Sequence, residues 1–215
     1  MTANDVTGTP SAEFWDARYR DTDPTWGTRP NAVLVDVVTA LVGRPGTALD
    51  IGCGHGGDAL WLASLGWRVT AVDVAAPALE RVDAAAAARG VADRVTTARH
   101  DLSRSFPDGS FDLVSACYFH TPVDIPRDAV LRRAAGAVAP GGLLVVVEHA
   151  SVAPWSSYPD GPPDFPTPQQ TVDALHLDGG WRPERVEAPQ RVATGPGDRS
   201  ATVTDNVIAV RRVTA

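Results

Sequence analysis

Apolar positions along this chain follow two alternating rhythms. Short, nearly continuous apolar runs at "TALDIG" (47–52), "WRVTAVDV" (67–74), "RVTTARH" (94–100), "SFDLVSACYF" (110–119) and "GGLLVVVEHA" (141–150) read as strands covered on both faces. Between them "GDALWLASLG" (57–66), "APALERVDAAAAARG" (76–90) and "PRDAVLRRAAGAVAP" (126–140) carry helical patterns, with Pro77 placed where its missing N–H does no harm. Upstream, Ser11 is expected to cap a helix over "SAEFWDARYR" (11–20), whose Phe14/Arg18 and Trp15/Tyr19 spacings give it an aromatic edge. "AVLVDVVTALVG" (32–43) reads as a buried helix ended by glycine. Strands joined by helices in this order, with right-handed connections, predict an α/β fold: an open, doubly wound, Rossmann-like sheet with helices on both faces.

The texture changes after Ala150. Residues 151–166 are too rich in proline for a regular element, and so long a loop is expected to be functional, here a lid over a substrate. A helix over "PQQTVDALHLDGG" (168–180) returns the chain to the sheet, and "WRPERVEAPQRV" (181–192) and "ATVTDNVIAVRRV" (201–213) form two strands joined by "ATGPGDRS". The sheet is thus predicted to have seven strands, mostly parallel, with an antiparallel strand at its C-terminal end. The domain plan is a tail and covering helix over 1–27 followed by one domain over 28–215.

Charge and composition narrow the function. The 215 residues carry 26 acidic and 19 Lys plus Arg side chains, a formal net charge of -7, with no basic block to bind phosphates. Nucleic acid is therefore not an expected partner. No run approaches the roughly 18–20 apolar residues of a membrane span, and the first twenty residues hold no apolar block of the signal-peptide kind. Cys53 and Cys117 lie in apolar surroundings, unlike a disulfide scaffold. The five histidines lack metal-ligand spacing, so no metal site is expected. A cytoplasmic protein, monomeric or homodimeric, is the resulting expectation.

The chemistry centres on "ALDIGCGHGGDA". A strand that runs into Gly52, Gly54, Gly56 and Gly57 and opens a helix presents unpaired amides at the carboxyl edge of the sheet. Gly52, Gly54 and Gly57 satisfy G-x-G-x-x-G, and Asp73, 21 residues beyond Gly52, ends the next strand where an acid accepts ribose hydroxyls. An adenosine-type cofactor follows, and the local pattern leaves nicotinamide dinucleotides open. Asp50 inside the strand favours a ligand with an amino group over one with a pyrophosphate. Asp101 after the third strand can accept from an adenine amino group while Leu102 packs on the ring; an Asx turn is the alternative use of Asp101.

Together "LDIGCGHGGDALWLA", "VTAVDV", "HDL" and "FDLV" resemble the ordered motifs of the class I S-adenosylmethionine-dependent methyltransferases over residues 28–150. The opening "EFWDARYRDTDPTWGTRPN" is similar to small bacterial members of the tellurite-resistance and thiopurine methyltransferase-like group. The resemblance implies that S-adenosylmethionine binds and leaves as S-adenosylhomocysteine. It places Asp50, Gly52, Cys53 and Gly54 at the methionine end, Asp73 and Val74 at the ribose, Asp101 and Leu102 at the adenine, and Trp26 and Arg29 over the cofactor. Asp112 is expected to stiffen the start of the fourth strand.

Transfer of a methyl group needs orientation, exclusion of water and, for some acceptors, a base. The strand ends supply Tyr118 and His120 in one place and Glu148 and His149 in another, with His120 the leading candidate because imidazole titrates near neutrality. Alternation along the strand allows only one of Glu148 and His149 to face a pocket. Trp15, Tyr19, Trp155 and Tyr158 are candidates to contact a small-molecule methyl acceptor. A nicotinamide-dependent oxidoreductase and a non-catalytic S-adenosylmethionine-binding protein are the competing readings.

Overall fold

The computed structural model describes residues 8–23, 25, 27–156 and 164–214. Its elements, in order, are α1 (Pro10–Asp21), α2 (Ala32–Leu41), β1 (Thr47–Ile51), α3 (Gly57–Ser64), β2 (Arg68–Asp73), α4 (Ala76–Ala88), β3 (Val95–Arg99), β4 (Phe111–Cys117), α5 (Arg127–Gly136), β5 (Val138–His149), α6 (Pro168–Ala174), β6 (Trp181–Glu187), β7 (Gln190–Thr194) and β8 (Ser200–Arg212). The sheet order is β3-β2-β1-β4-β5-β8-β6, with β7 paired to β8 off this path. Strands β1 to β5 are parallel, and β8 runs antiparallel to both β5 and β6. The seven strands of the main path, with one reversed near the C-terminal edge, are the predicted architecture, and β7 is an eighth strand beside it.

Side-chain parity sorts the sheet into two cores. Ala48, Val69, Leu113, Leu143, Val145, Val147, Val207 and Ala209 pack under α2, α3 and α4. Leu49, Ile51, Val114, Leu144, Val146, Ile208 and Val210 pack under α5 and Leu175 on the other face. Burial on both faces is why the strands read as unbroken apolar runs.

Local chemistry sets the ends of the elements, in places against expectation. The cap of α1 is Thr9, whose side chain accepts the Ala12 N–H at 3.1 Å, and not Ser11; Pro10 occupies the first helical position, where its fixed φ suits the turn. Asn31 caps α2 through Val33 and Leu34. The stretch expected as one helix over 126–140 splits after Gly136, because Val138 already pairs with Phe111. The expected strand over 181–192 also breaks: β6 ends at Glu187, and after Ala188-Pro189 β7 pairs with β8 off the main path. Proline lacks the N–H that a central ladder needs. Asp112 behaves as expected, its Oδ2 accepting from the Thr47 amide and hydroxyl at 2.8 and 2.9 Å, which staples β4 to β1.

All five parallel strands end at one edge, and the order reverses between β1 and β4, opening a crevice there. Helix α1 lies across this edge. Asp16 ties it down, accepting the Ala76 N–H at 2.9 Å and pairing with Arg99 at 3.0 Å.

Candidate functional site

Three cavities follow one another along the crevice, and Trp15 of α1 lines all of them. The first, about 310 Å³, lies over the glycine turn and is lined by Asp50, Gly52, Cys53, Gly54, Asp58, Arg29, Tyr19 and Tyr118 among others. The second is enclosed by Asp73, Val74, Asp101, Leu102, Tyr19 and Phe119. The third, about 980 Å³, opens outward between Phe14, Ile125, His120, His149 and Phe165.

The glycines are required by close approach. Gly52 has φ +68°, and a Cβ there would stand 2.7 Å from the Phe119 ring; at Gly54, φ +53°, it would stand 2.8 Å from the Tyr19 hydroxyl. A side chain at either position would fill the cradle.

Asp50 is buried in β1, and its Oδ1 accepts from Ser115 Oγ at 2.8 Å. Among the described residues no hydrogen bond reaches its Oδ2. Burial pushes this carboxyl well above the ordinary range, and the charge of nearby Asp58 pushes the same way against the Ser115 hydroxyl. Asp58, whose Oδ1 accepts the Asn31 N–H at 2.6 Å, and Asp73 are raised as well, each chiefly by burial. Three carboxyls around one turn, with an oxygen left over, match a ligand that brings positive charge and N–H donors.

Raised carboxyl pKa values make the native state hold protons longer than the unfolded chain. Their contribution to stability is full below the unfolded value of about 3.9 and declines as pH rises toward the folded values. Asp50→Asn removes the ionisation at one of these sites. The variant is expected to gain stability relative to the parent as pH rises from about 4, read as urea midpoints of both proteins across a pH series; a constant gap contradicts it.

Asp73 Oδ2 accepts the Gly54 N–H and Oδ1 the Ala75 N–H, both at 2.9 Å, so the carboxylate braces the glycine turn while keeping lone pairs for a ligand. Asp101 takes part in the Asx-type turn: its Oδ1 accepts the Ser103 amide at 3.1 Å and hydroxyl at 2.5 Å. It still lines the second cavity, beside buried Leu102. Arg29 is exposed at the rim of the first cavity. Burial pushes the Cys53 thiol well up, which disarms it as a nucleophile. His55 is buried, not turned to solvent, with Nε2 2.6 Å from Arg81 Nη1 and its ring edge-on to Tyr19. Trp26 and Tyr158, and residues 157–163 of the expected lid, lie outside the described residues.

The candidates for chemistry separate by strand face. Glu148 shares its face with Val146 and Leu144, away from the three cavities, and is fully buried. Its Oε1 pairs with Arg127 and its Oε2 accepts from Thr171 Oγ1 at 2.8 Å, so it is a structural anchor for α5 and α6 and not a base. His149 lies on the opposite face and lines the third cavity. His120 lines the second and third; burial, then Arg127 and His149, pull it down to about 4, which leaves it neutral and a poor proton acceptor at neutral pH. Trp15 Nε1 donates to Thr121 Oγ1 at 3.1 Å, joining α1 to the loop after β4. Trp155 does not reach the three cavities: a Cβ on Gly195 would stand 2.3 Å from its ring, and Arg199 stacks over it at 5.6 Å. It fastens its loop to the β7–β8 turn. Phe165 instead meets His120 and His149 edge-on at 5.8 and 6.1 Å.

Asp58, Arg191 and Asp205 were not signalled by the sequence. Asp58 looks like an ordinary acid in a helix's first turn, and Arg191 and Asp205 are brought to Tyr118 only by pairing across β8.

A family model described as a methyltransferase domain matches residues 48–142, which hold the glycine turn, Asp73 and Asp101. A probable tocopherol O-methyltransferase, chloroplastic, of Oryza sativa subsp. japonica is 33% identical over 115 residues, covering 52% of this chain and 32% of the relative. A ribosomal RNA small subunit methyltransferase C of Chromohalobacter salexigens is 36% identical over 132 residues, covering 58% of this chain and 37% of the relative. The chain thus spans 32% and 37% of the lengths of these two curated relatives. Among solved structures, one described by the conversion of a disulfide bond into a thioacetal group during echinomycin biosynthesis superposes with TM-score 0.71 at 23% identity, covering 94% of this chain and 93% of that one. A geranyl diphosphate C-methyltransferase of Streptomyces coelicolor A3(2), in complex with Mg2+, geranyl diphosphate and S-adenosyl-L-homocysteine, gives 0.67 at 15% identity, covering 97% and 100%. TehB of Haemophilus influenzae also gives 0.67 at 15%, covering 94% and 67%. At such identities the likeness to TehB is one of fold, and the tellurite-resistance comparison goes no further.

Proposed function

We propose that this chain is a class I S-adenosylmethionine-dependent methyltransferase, a reading supported by the methyltransferase-domain match over residues 48–142, and that it methylates a small, largely apolar molecule held between α1, the loop after β4 and residues 164–166. The observation that carries this reading is the run of cavities joined at Trp15, with an unsatisfied carboxylate oxygen of Asp50 at one end and an aromatic chamber at the other.

The residues present fit the cofactor. Asp50 and Asp58 offer acceptors to an ammonium group, Gly52 and Gly54 admit it against backbone, and Arg29 stands ready for its carboxylate. Asp73 would take the ribose hydroxyls, and Asp101 with Leu102 the adenine. When bound, S-adenosylmethionine supplies an electrophilic methyl carbon on a sulfonium. Asp50, Asp58 and Asp73 also weigh against a dinucleotide, since a pyrophosphate at this turn would meet three carboxyls, two of them buried.

The acceptor chamber favours a small molecule over RNA. Its walls are Phe14, Trp15, Val123, Ile125 and Phe165; its charged groups are Asp124, Asp164, Arg18 and Arg127, the last already paired with buried Glu148. With a net charge of -7 the chain presents a polyanion with repulsion. Incubation with radiolabelled methyl donor and cell extract, followed by separation into RNA, protein and small-molecule fractions, is expected to place label in the small molecules. Label in RNA would replace this reading, and cofactor uptake with no label in any fraction would favour a binding protein without turnover.

A further inference from the structure

Strand parity places one carboxylate under one histidine. His149 ends β5 and pairs with Asp205 of β8 in antiparallel register, so both side chains leave the sheet on the α2–α4 face, two pairs beyond Val147 and Val207. Their neighbours Glu148 and Asn206 leave on the other. Asp205 is fully buried, with Oδ1 3.7 Å from His149 Nδ1. That separation is longer than a hydrogen bond, and such contacts commonly tighten only when a site is filled.

Asp205 is itself held from two further elements. Its Oδ2 accepts from Tyr118 Oη at 2.9 Å and from Arg191 Nε, and Arg191 Nη2 donates to Tyr118 Oη at 3.0 Å. Burial opposes its ionisation, but the nearby His149 and the hydrogen bonds from Arg191 and Tyr118 prevail and hold the carboxyl below its ordinary range. Arg191 arrives on β7, the piece of chain split off after Pro189, which pairs with β8. Tyr118 has φ +50°, a strained conformation for a non-glycine residue. It brings the ring flat onto His149, with centroids 4.2 Å apart and planes 16° apart. His149 is thereby fixed on one face and at Nδ1, while about a third of its side chain (31%) stays open to the acceptor chamber.

We propose that His149 is the general base of this site, that Asp205, Arg191 and Tyr118 are the residues positioning it, and that the acceptor is a flat, apolar molecule presenting a phenolic or enolic hydroxyl. This rests on the methyl-transfer reading above. With Nδ1–H directed to Asp205, Nε2 is the nitrogen left to accept a proton. A base is needed where the nucleophile carries a proton that must leave, as in a hydroxyl; a neutral amine or thioether attacks without one. Ring faces of Trp15, Phe165 and His120 suit a flat partner. As the acceptor oxygen takes the methyl carbon, its proton passes to His149 Nε2 and the electron pair of the broken carbon–sulfur bond stays on sulfur. The products are the methyl ether, S-adenosylhomocysteine and a proton later released to solvent. His120 is an orienting group in this scheme: its Nε2 lies 3.4 Å from the His149 amide, leaving Nδ1–H to donate.

Two readouts besides turnover test this on the protein saturated with S-adenosylhomocysteine. Ring-nitrogen NMR of 15N-histidine-labelled protein is expected to show His149 as the Nδ1–H tautomer, and as a mixture in Asp205→Asn. In parallel, 4-nitrophenol added to the complex is expected to ionise about one pH unit or more below its free value. That shift is expected to vanish in His149→Asn while S-adenosylhomocysteine affinity is unchanged by calorimetry. Should Asp205→Asn fail to fold, Tyr118→Phe, which removes one donor to the carboxylate, replaces it and is expected to loosen the tautomer in the same sense. No binding of 4-nitrophenol to the complex overturns the acceptor class. Equal ionisation in parent and His149→Asn overturns the base, and unchanged tautomer populations overturn the positioning set. Failure of the parent to bind S-adenosylhomocysteine would be a different failure, that of the methyl-transfer reading.

Discussion

Asp73→Ala is expected to weaken S-adenosylhomocysteine binding by about 10- to 100-fold, the loss of one charged hydrogen bond being worth roughly 1.5–3 kcal/mol. It is also expected to destabilise the fold. The carboxylate accepts two backbone amides, from Gly54 and Ala75, and alanine leaves both without a partner in a buried place. Orphaned amides cost about 1–3 kcal/mol each. Relief of the Asp73 desolvation that raises its own pKa offsets part of this, so a net loss of about 1–3 kcal/mol is expected. For a chain of this size that is roughly 3–10 °C in melting temperature. Asp73→Asn keeps the shape and one acceptor oxygen and is expected to fall between alanine and the parent. Calorimetric titration of the folded fraction separates the two effects; an affinity equal to that of the parent would remove Asp73 from the ribose site.

Arg127→Ala is expected to have the largest effect on stability, about 3–5 kcal/mol, because it strands the Glu148 carboxylate inside the protein. Glu148 is fully buried, and among the described residues its hydrogen-bond partners are Arg127 and the Thr171 hydroxyl. Arg127 also donates through Nε to the Phe119 carbonyl at 3.1 Å, so its loss loosens the loop that carries His120. Replacing both charges, as Arg127→Met with Glu148→Leu, is expected to recover most of the lost stability, since a buried ion pair often contributes little over an apolar pair of similar volume. Urea midpoints of the three proteins decide this. A stable Arg127→Ala would mean that Glu148 is free to act elsewhere, including in catalysis.

These results bear on what could be read in the sequence. Strands covered on both faces leave an unmistakable apolar run, and a glycine turn before a helix needs only local spacing, so the mostly parallel sheet and the Asp50–Gly54–Asp73 corner were legible. Alternation correctly separated Glu148 from His149, but it does not say which face carries the crevice; that depends on α2, α3 and α4 packing opposite α5. The break after Glu187 was signalled by Pro189, but the same run holds Pro183 within β6, so a proline by itself did not mark the break. The Asp205–Arg191–Tyr118 group was not legible, because Tyr118 and Asp205 lie 87 residues apart and meet through a reversed strand inserted between β5 and β6. His55 shows the same limit: a histidine between glycines reads as exposed, and tertiary packing against Arg81 and Tyr19 buries it.

The central claim is that the turn after β1 receives the amino-acid end of S-adenosylmethionine. A crystal structure of the wild-type protein grown with S-adenosylhomocysteine tests it most directly. The account predicts the ammonium group bonded to Asp50 Oδ2, directly or through one water, with the ribose hydroxyls on Asp73. A nucleoside bound elsewhere, with Oδ2 still lacking a partner, would contradict it.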